Sequence, residues 1–63
     1  MIILKGSETR ADIFVNEENI VLAERKEPHT YVVFKSGATA LVDETPREIR
    51  DLIREDWRED WGA

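Results

Sequence analysis

The sequence predicts a small α+β domain in which a meander of about five short antiparallel strands is followed by one C-terminal helix. Three observations predict this class. The 63 residues leave room for a single domain. Short segments rich in β-branched and aromatic residues, separated by turn residues, fill the first two thirds of the chain. A helix-start signal then appears at residue 45. We expect residues 1–63 to form one domain, with the meander over 1–43 and the helix over 45–61.

Five β-type segments precede the helix, and turn residues bound each of them. The predicted strands are Met1–Lys5, Ala11–Val15, Ile20–Arg25, Thr30–Lys35 and Ala38–Val42. The last two are separated by Ser36-Gly37, where glycine is free to adopt the positive φ of a two-residue hairpin turn. Such a turn predicts that Val33 pairs with Ala40 and Tyr31 with Val42.

The start of the helix is the sharpest signal in the chain. In Thr45-Pro46-Arg47-Glu48-Ile49, the threonine hydroxyl is placed to accept the amide of Glu48, whose carboxylate reaches back to the amide of Thr45. Pro46 takes the first helical position, where its missing N–H costs nothing. This pattern predicts a capping box.

The rest of the helix carries an apolar stripe and then a charged end. Ile49, Leu52 and Ile53 share one face and are expected to dock on the sheet. Asp56 and Asp60 continue the same face, so the docking surface is expected to stop near Ile53.

The predicted strands are apolar on both faces. In the first strand, for example, Ile2 and Leu4 oppose Met1 and Ile3. One helix covers one side of a small sheet. The other side is then expected to curl into a barrel or to meet another copy of the protein. We favour a homo-oligomer, and a rolled-up monomer is the alternative.

The charge and the residue types bound the possible functions. Fourteen acidic against nine basic residues give a net charge of −5, which opposes non-specific binding to nucleic acid or to an anionic membrane. The chain has no cysteine, which excludes disulfides and thiolate zinc sites. No apolar run approaches the ~20 residues of a membrane span. We expect a cytoplasmic protein.

The sequence shows no pattern that indicates catalysis. His29, the single histidine, follows Pro28 and is expected to be a solvated loop residue, since no nucleophile or positioned acid accompanies it. Acidic pairs such as Glu17-Glu18 lack the spacing of a calcium loop. We therefore expect no enzyme activity, no catalytic residue, no metal site and no cofactor.

The end of the helix is the predicted interaction site. Residues 54–61 repeat with a period of four, so that Trp57 and Trp61 share one helical edge with Arg54 and Arg58 beside them. Interfaces favour tryptophan and arginine as anchors. The alternative is that Trp57 caps the edge of the core and Trp61 frays with the terminus.

The chain also resembles a known family. Residues 27–42, which run Glu-Pro-His-Thr-Tyr-Val-Val-Phe-Lys-Ser-Gly-Ala-Thr-Ala-Leu-Val, resemble without a gap the Pro-Asp-Thr, strand, Asn-Gly, strand pattern of the FlbD-type (SwrD-like) small flagellar proteins. Phe14-Val15-Asn16 is similar to that family's Leu-Asn, and residues 43–49 to its Glu-Ser-x-Glu-Glu-Val helix start. The resemblance implies a small, non-enzymatic accessory protein associated with motility.

Together these observations favour an accessory protein that acts through contacts with itself and with an unknown protein partner. Two alternatives are a phage-type accessory or regulatory protein and a small nucleic-acid-binding β-barrel. The barrel would gather five basic residues on one face: Lys5, Arg10, Arg25, Lys26 and Lys35.

Overall fold

The computed structural model describes the backbone of residues 1–62 and the side chains of residues 1–56. This part of the chain contains strands β1 (Ile2–Lys5), β2 (Asp12–Val15), β3 (Ile20–Lys26), β4 (His29–Phe34) and β5 (Thr39–Val42), followed by helix α1 (Pro46–Gly62). A 3-10 turn, Glu17–Asn19, links β2 to β3. The predicted α+β class, with five antiparallel strands and a C-terminal helix, is confirmed.

The strands form two small sheets rather than one continuous meander. β1 pairs with β2, and β3, β4 and β5 form a three-stranded sheet in that order. A single antiparallel bridge in the described chain, between Gly6 and Val42, joins the end of β1 to β5. The first hairpin is therefore attached to the second sheet at one end only.

Backbone and side-chain hydrogen bonds reinforce this junction. The amide of Ser7 donates to the carbonyl of Leu41, and the amide of Asp43 donates to the carbonyl of Lys5, each at 2.9 Å. The amide of Lys5 donates to both carboxylate oxygens of Glu44, at 2.9 and 3.1 Å. Asp43 and Glu44, the two residues after β5, thus form hydrogen bonds with Lys5, the last residue of β1.

The hydrophobic core lies between the two sheets and α1. Its buried side chains, among the described residues, are Ile2, Leu4, Val15, Val32, Val42 and Ile49. Every element except β3 contributes to this set, and β3 packs against it through the half-buried Ile20 and Ala23. Thr30 is also fully buried, and its hydroxyl accepts a hydrogen bond from Arg25 at 3.1 Å.

The β4–β5 hairpin has a different register from the predicted one. The observed pairs are Thr30 with Val42, Tyr31 with Leu41, Val32 with Ala40 and Val33 with Thr39. The predicted pairs Val33–Ala40 and Tyr31–Val42 are wrong by one residue. Since a one-residue shift exchanges the faces of a strand, the observed register is the one that turns Val42 into the core beside Val32.

The length of the hairpin loop explains the shift. Phe34 accepts a hydrogen bond from the amide of Gly37 and donates one to the carbonyl of Ala38, each at 2.9 Å. Gly37 has a φ of 91°. These contacts define a three-residue loop, in which a tight turn is followed by a glycine in the left-handed region.

The turn between β3 and β4 also differs from the expectation. Lys26 pairs with His29, so the turn consists of Glu27 and Pro28 alone, and the peptide bond between them is cis. His29 is the first residue of β4 and is half-buried. Its expected position in a solvated loop is therefore wrong.

The capping box at the start of α1 is confirmed. The amide of Thr45 donates to Glu48 Oε1, and the amide of Glu48 donates to Thr45 Oγ1, both at 3.1 Å. The apolar stripe also docks as predicted, because Ile49 is buried and Leu52 and Ile53 pack half-buried against the core.

Gly37→Ala should lower the free energy of unfolding by about 1 kcal/mol, because alanine is strained at a positive φ. Apart from Gly37 and its two chain neighbours, no heavy atom of the described residues lies within 4 Å of the position that a Cβ would take, so the loss comes from the backbone alone. Gly37→Asn is the matched control and should lose less, since asparagine tolerates this region. Urea unfolding measures both. An equal loss in the two variants would contradict the assigned loop geometry.

Candidate interaction surface

The outer face of the β1–β2 hairpin is apolar and exposed. Ile3 pairs with Phe14 across the two strands, and these residues are 50% and 69% exposed. Ile2 and Leu4, the neighbours of Ile3 in β1, are buried in the core, so the alternation of the strand directs Ile3 outward. Met1, which is 66% exposed, lies before it in the chain. This hairpin places an aliphatic and an aromatic side chain side by side in water.

A groove lies next to Ile3, between β1 and α1. Its lining residues are Ile3, Glu44, Glu48, Asp51, Leu52 and Glu55. Two of these side chains are apolar, and the other four are carboxylates. At the N-terminal end of β1, the groove continues over Met1, Ile2 and Asp56. We call this feature the β1–α1 groove.

The carboxylates of the groove follow from the helical register of α1. Glu48, Asp51 and Glu55 are spaced by three and four residues, so they form one row on the helix. Leu52, at the edge of the apolar stripe, adjoins this row and also lines the groove. Glu44 precedes α1, and its carboxylate is fixed by the backbone amide of Lys5.

Arginines occupy a separate row of α1. Arg47, Arg50 and Arg54 have the same spacing and are all exposed. In the described chain the row of arginines meets the row of acids at one place, where Arg50 Nε lies 3.9 Å from Asp51 Oδ1. An exposed ion pair at this distance contributes little. The groove side of the helix therefore keeps its negative charge.

The α-ammonium group of Met1 binds two carboxylates at the end of the groove. It lies 2.6 Å from Asp56 and 2.9 Å from Glu17. The hydrogen bond to Asp56, followed by the one to Glu17, raises the pKa of the ammonium from 8.0 to about 10. The ammonium in turn holds the pKa of Asp56 below its usual range. This cluster ties the 3-10 turn after β2 to α1.

Asp56 therefore corrects one expectation about the helix. The docking surface was expected to stop near Ile53 because a carboxylate follows on the same face. Instead Asp56 is half-buried, with 21% of its side chain exposed, and it continues the docking face through the ion pair with Met1. The positive partner comes from the other end of the chain.

One of the four predicted interaction residues belongs to the part whose side chains are described. Arg54 is exposed on α1. Trp57, Arg58 and Trp61 fall within the bounds of α1, but their side chains lie outside the described residues. Their role as contact residues stays a prediction.

Four of the basic residues proposed for a nucleic-acid face have acidic neighbours. Lys5 lies 3.5 Å from Asp12, Arg10 lies 3.0 Å from Asp43, Arg25 lies 3.2 Å from Glu27 and Lys26 lies 4.0 Å from Glu24. Lys26 also lies 5.2 Å from the centre of the Tyr31 ring. This charge pairing weakens the case for a phosphate-binding face.

A second exposed apolar site lies on β3. Val21 and Leu22 are 60% and 46% exposed, and the pairing with β4 shifts between Ile20 and Leu22. A bulge of this kind bends the strand and disrupts its hydrogen-bonding edge.

The β1–α1 groove is the feature that sequence reasoning missed. Two signals for it are present in the chain: the spacing of Glu48, Asp51 and Glu55 on one helical row, and the apolar outward positions Ile3 and Phe14. Neither signal reveals that β1, at the opposite end of the sequence, lies beside α1.

Comparisons of the chain with protein-family models, with curated proteins and with solved structures find no match. None of the helical residues in the described chain forms a segment long and apolar enough to cross a membrane.

Asp56→Asn should remove most of the pH dependence that the Met1 amine gives to stability between pH 8 and about 10. The pKa of the amine is raised in the folded protein, so its contribution is complete below pH 8 and is lost as the pH rises through about 10. Thermal unfolding from pH 7 to 10.5 measures this loss. Asp51→Asn, which removes an exposed acid from the same helix, is the matched control and should keep the slope of the unchanged chain. Equal slopes in the two variants would contradict the role of Asp56.

Proposed function

We propose that this protein is a non-enzymatic accessory protein of the cytoplasm that acts through protein–protein contacts, including contacts with copies of itself. The observation that carries the proposal is the exposed Ile3–Phe14 pair on the outer face of the β1–β2 hairpin. Exposing these two apolar side chains to water is unfavourable, and a partner surface that buries them removes this free-energy cost.

The free energy that burial of these side chains would contribute supports an interface. Burying a large apolar side chain that was exposed is worth roughly 1.5–3 kcal/mol, and Phe14 and Ile3 are both at least half exposed. In a symmetric dimer each copy supplies the same patch, so two phenylalanines and two isoleucines leave water at once. This burial free energy would also stabilise the domain itself, which is small and has no disulfide.

The proposed biological setting is motility, as one of the small accessory proteins of flagellar systems. Its support is the resemblance of residues 27–49 to the FlbD-type pattern of strand, turn, strand and helix start. In this chain these residues form β4, the loop at Gly37, β5 and the first turn of α1.

Phe14→Ser should convert self-associated protein to monomer, because it removes the most exposed aromatic side chain from the hairpin face. Sedimentation equilibrium over a concentration series measures the mass. Val21→Ser is the matched control, since it removes a comparably exposed apolar side chain from β3, and it should leave the mass unchanged. A wild-type chain that stays monomeric at millimolar concentration, or a Phe14→Ser variant with wild-type mass, would refute this interface.

Replacing both Trp57 and Trp61 with alanine should weaken association while the fold is kept. The reason is that the two tryptophans share a helical edge with Arg54 and Arg58 beyond the apolar stripe of α1. Circular dichroism reports the fold, and sedimentation reports the association. Arg47→Ala, at an exposed position near the start of α1, is the control. Unchanged association, or loss of the fold, would count against this contact edge.

A further inference from the structure

We propose that the β1–α1 groove binds an extended segment of a partner protein in which aliphatic residues alternate with lysine or arginine. This inference rests on the proposed function, since it names the partner chemistry for a protein that acts by contact. Three features of the groove carry it: an open strand edge, an apolar side and a carboxylate side.

The open edge belongs to β1. The amide of Lys5 donates to Glu44, and its carbonyl accepts from Asp43, so the polar backbone groups of Lys5 point away from β2. Groups two residues apart on a strand point the same way. The N–H and C=O of Ile3 therefore face the groove and are not bonded to β2. An added strand uses such groups for main-chain hydrogen bonds.

The position of this edge defines where the segment would lie. β5 runs beside the end of β1 and stops at Val42, after which Asp43 and Glu44 occupy the next places along Lys5. A bound segment would continue along the path of β5 beyond Glu44 and lie beside β1 at Ile3. It then lies between β1 and α1, where the groove is found.

The two sides of the groove differ in chemistry, and this difference selects the side chains of the partner. One side presents Ile3, which is half exposed and adjoins Phe14. The other presents the carboxylate row of α1. Side chains of an extended segment alternate between two faces, so one set meets the apolar hairpin face and the other set meets the acids.

The charge of the groove argues for a cationic partner rather than a second copy of this chain. Five carboxylates line it: Glu44, Glu48, Asp51 and Glu55 along its length, and Asp56 at its end, where the Met1 ammonium pairs with it; no lysine or arginine is among its described lining residues. Two copies that met through their grooves would bring these like charges together, which costs free energy. The chain as a whole also carries a net charge of −5.

A fluorescein-labelled peptide of four Lys-Val repeats tests the proposal by fluorescence anisotropy on the full chain. We expect saturable binding that weakens as NaCl is raised from about 50 to about 300 mM, because the contact is partly ionic. Asp51→Lys combined with Glu55→Lys, which leaves the Thr45–Glu48 capping box intact, should weaken binding at least about tenfold. The matched control combines Glu8→Lys with Glu24→Lys, which changes the net charge equally at exposed positions outside the groove and should have a much smaller effect.

Three further measurements separate the features of the groove. A Lys-Ser peptide should bind much more weakly, and so should a Lys-Val peptide whose backbone is N-methylated at alternate residues. Ile3→Thr, which keeps a β-branched residue, should weaken the Lys-Val peptide several-fold. Circular dichroism confirms the fold of each variant.

The proposal is overturned if the Lys-Val peptide does not bind, if the two pairs of charge reversals have equal effects, or if the Lys-Ser or N-methylated peptide binds as well as the original. Because Ile3 and Phe14 also form the proposed self-association surface, the peptide is titrated at a protein concentration at which sedimentation shows the monomer, and self-association is scored from the sedimentation mass at higher concentration. A chain that forms oligomers but does not bind the peptide disproves the groove proposal and leaves the proposed function intact. A chain that stays monomeric but binds the peptide disproves self-association and leaves the groove proposal intact.

Discussion

The bridge between Gly6 and Val42 is the contact on which the arrangement of the two sheets depends. It is reinforced by the hydrogen bonds of Lys5 to Asp43 and Glu44. Gly6 is suited to this position because a Cβ there would lie 2.8 Å from Thr9 Oγ1 and 3.2 Å from Ile13 Cδ1. With the glycine in place, the β1–β2 loop closes tightly, and the hairpin lays Ile2 and Leu4 against the second sheet.

The same junction explains why a groove exists at all. β5 is short and covers only the end of β1, so within the described residues the beginning of β1 has no strand beside it on that side. Helix α1 covers the core at this place through Ile49. Its row of acidic residues lies beside β1 and does not cover it. The groove is thus a result of the incomplete closure between the two sheets.

Local signals in the sequence predict most of the fold. Each predicted strand bound lies within one residue of the observed one, and both hydrogen bonds of the Thr45–Glu48 box form, because such features depend on neighbouring residues. The hairpin register was missed because Ser36-Gly37 fits a two-residue turn as well as the observed three-residue loop. The difference is decided by whether Val42 enters the core, which is a property of the assembled sheets.

The candidate site was predicted less well, and the reason is again distance along the chain. The tryptophan edge is a prediction from helical periodicity alone, and the side chains of Trp57 and Trp61 lie outside the described residues. The groove needs the knowledge that Ile3 lies beside Leu52, and the ion pair needs the knowledge that Met1 meets Asp56. No local pattern indicates that an acid on an apolar helical face has its partner 55 positions away.

The position of the Gly6–Val42 bridge also has a consequence for the order in which the molecule assembles. Strands β3, β4 and β5 follow one another through short turns, whereas the bridge closes a loop of 36 residues in a chain of 63. Closing a long loop costs more conformational entropy than closing a tight turn, and contacts of high sequence separation slow folding. On these grounds we expect the three-stranded sheet to form before the first hairpin joins β5.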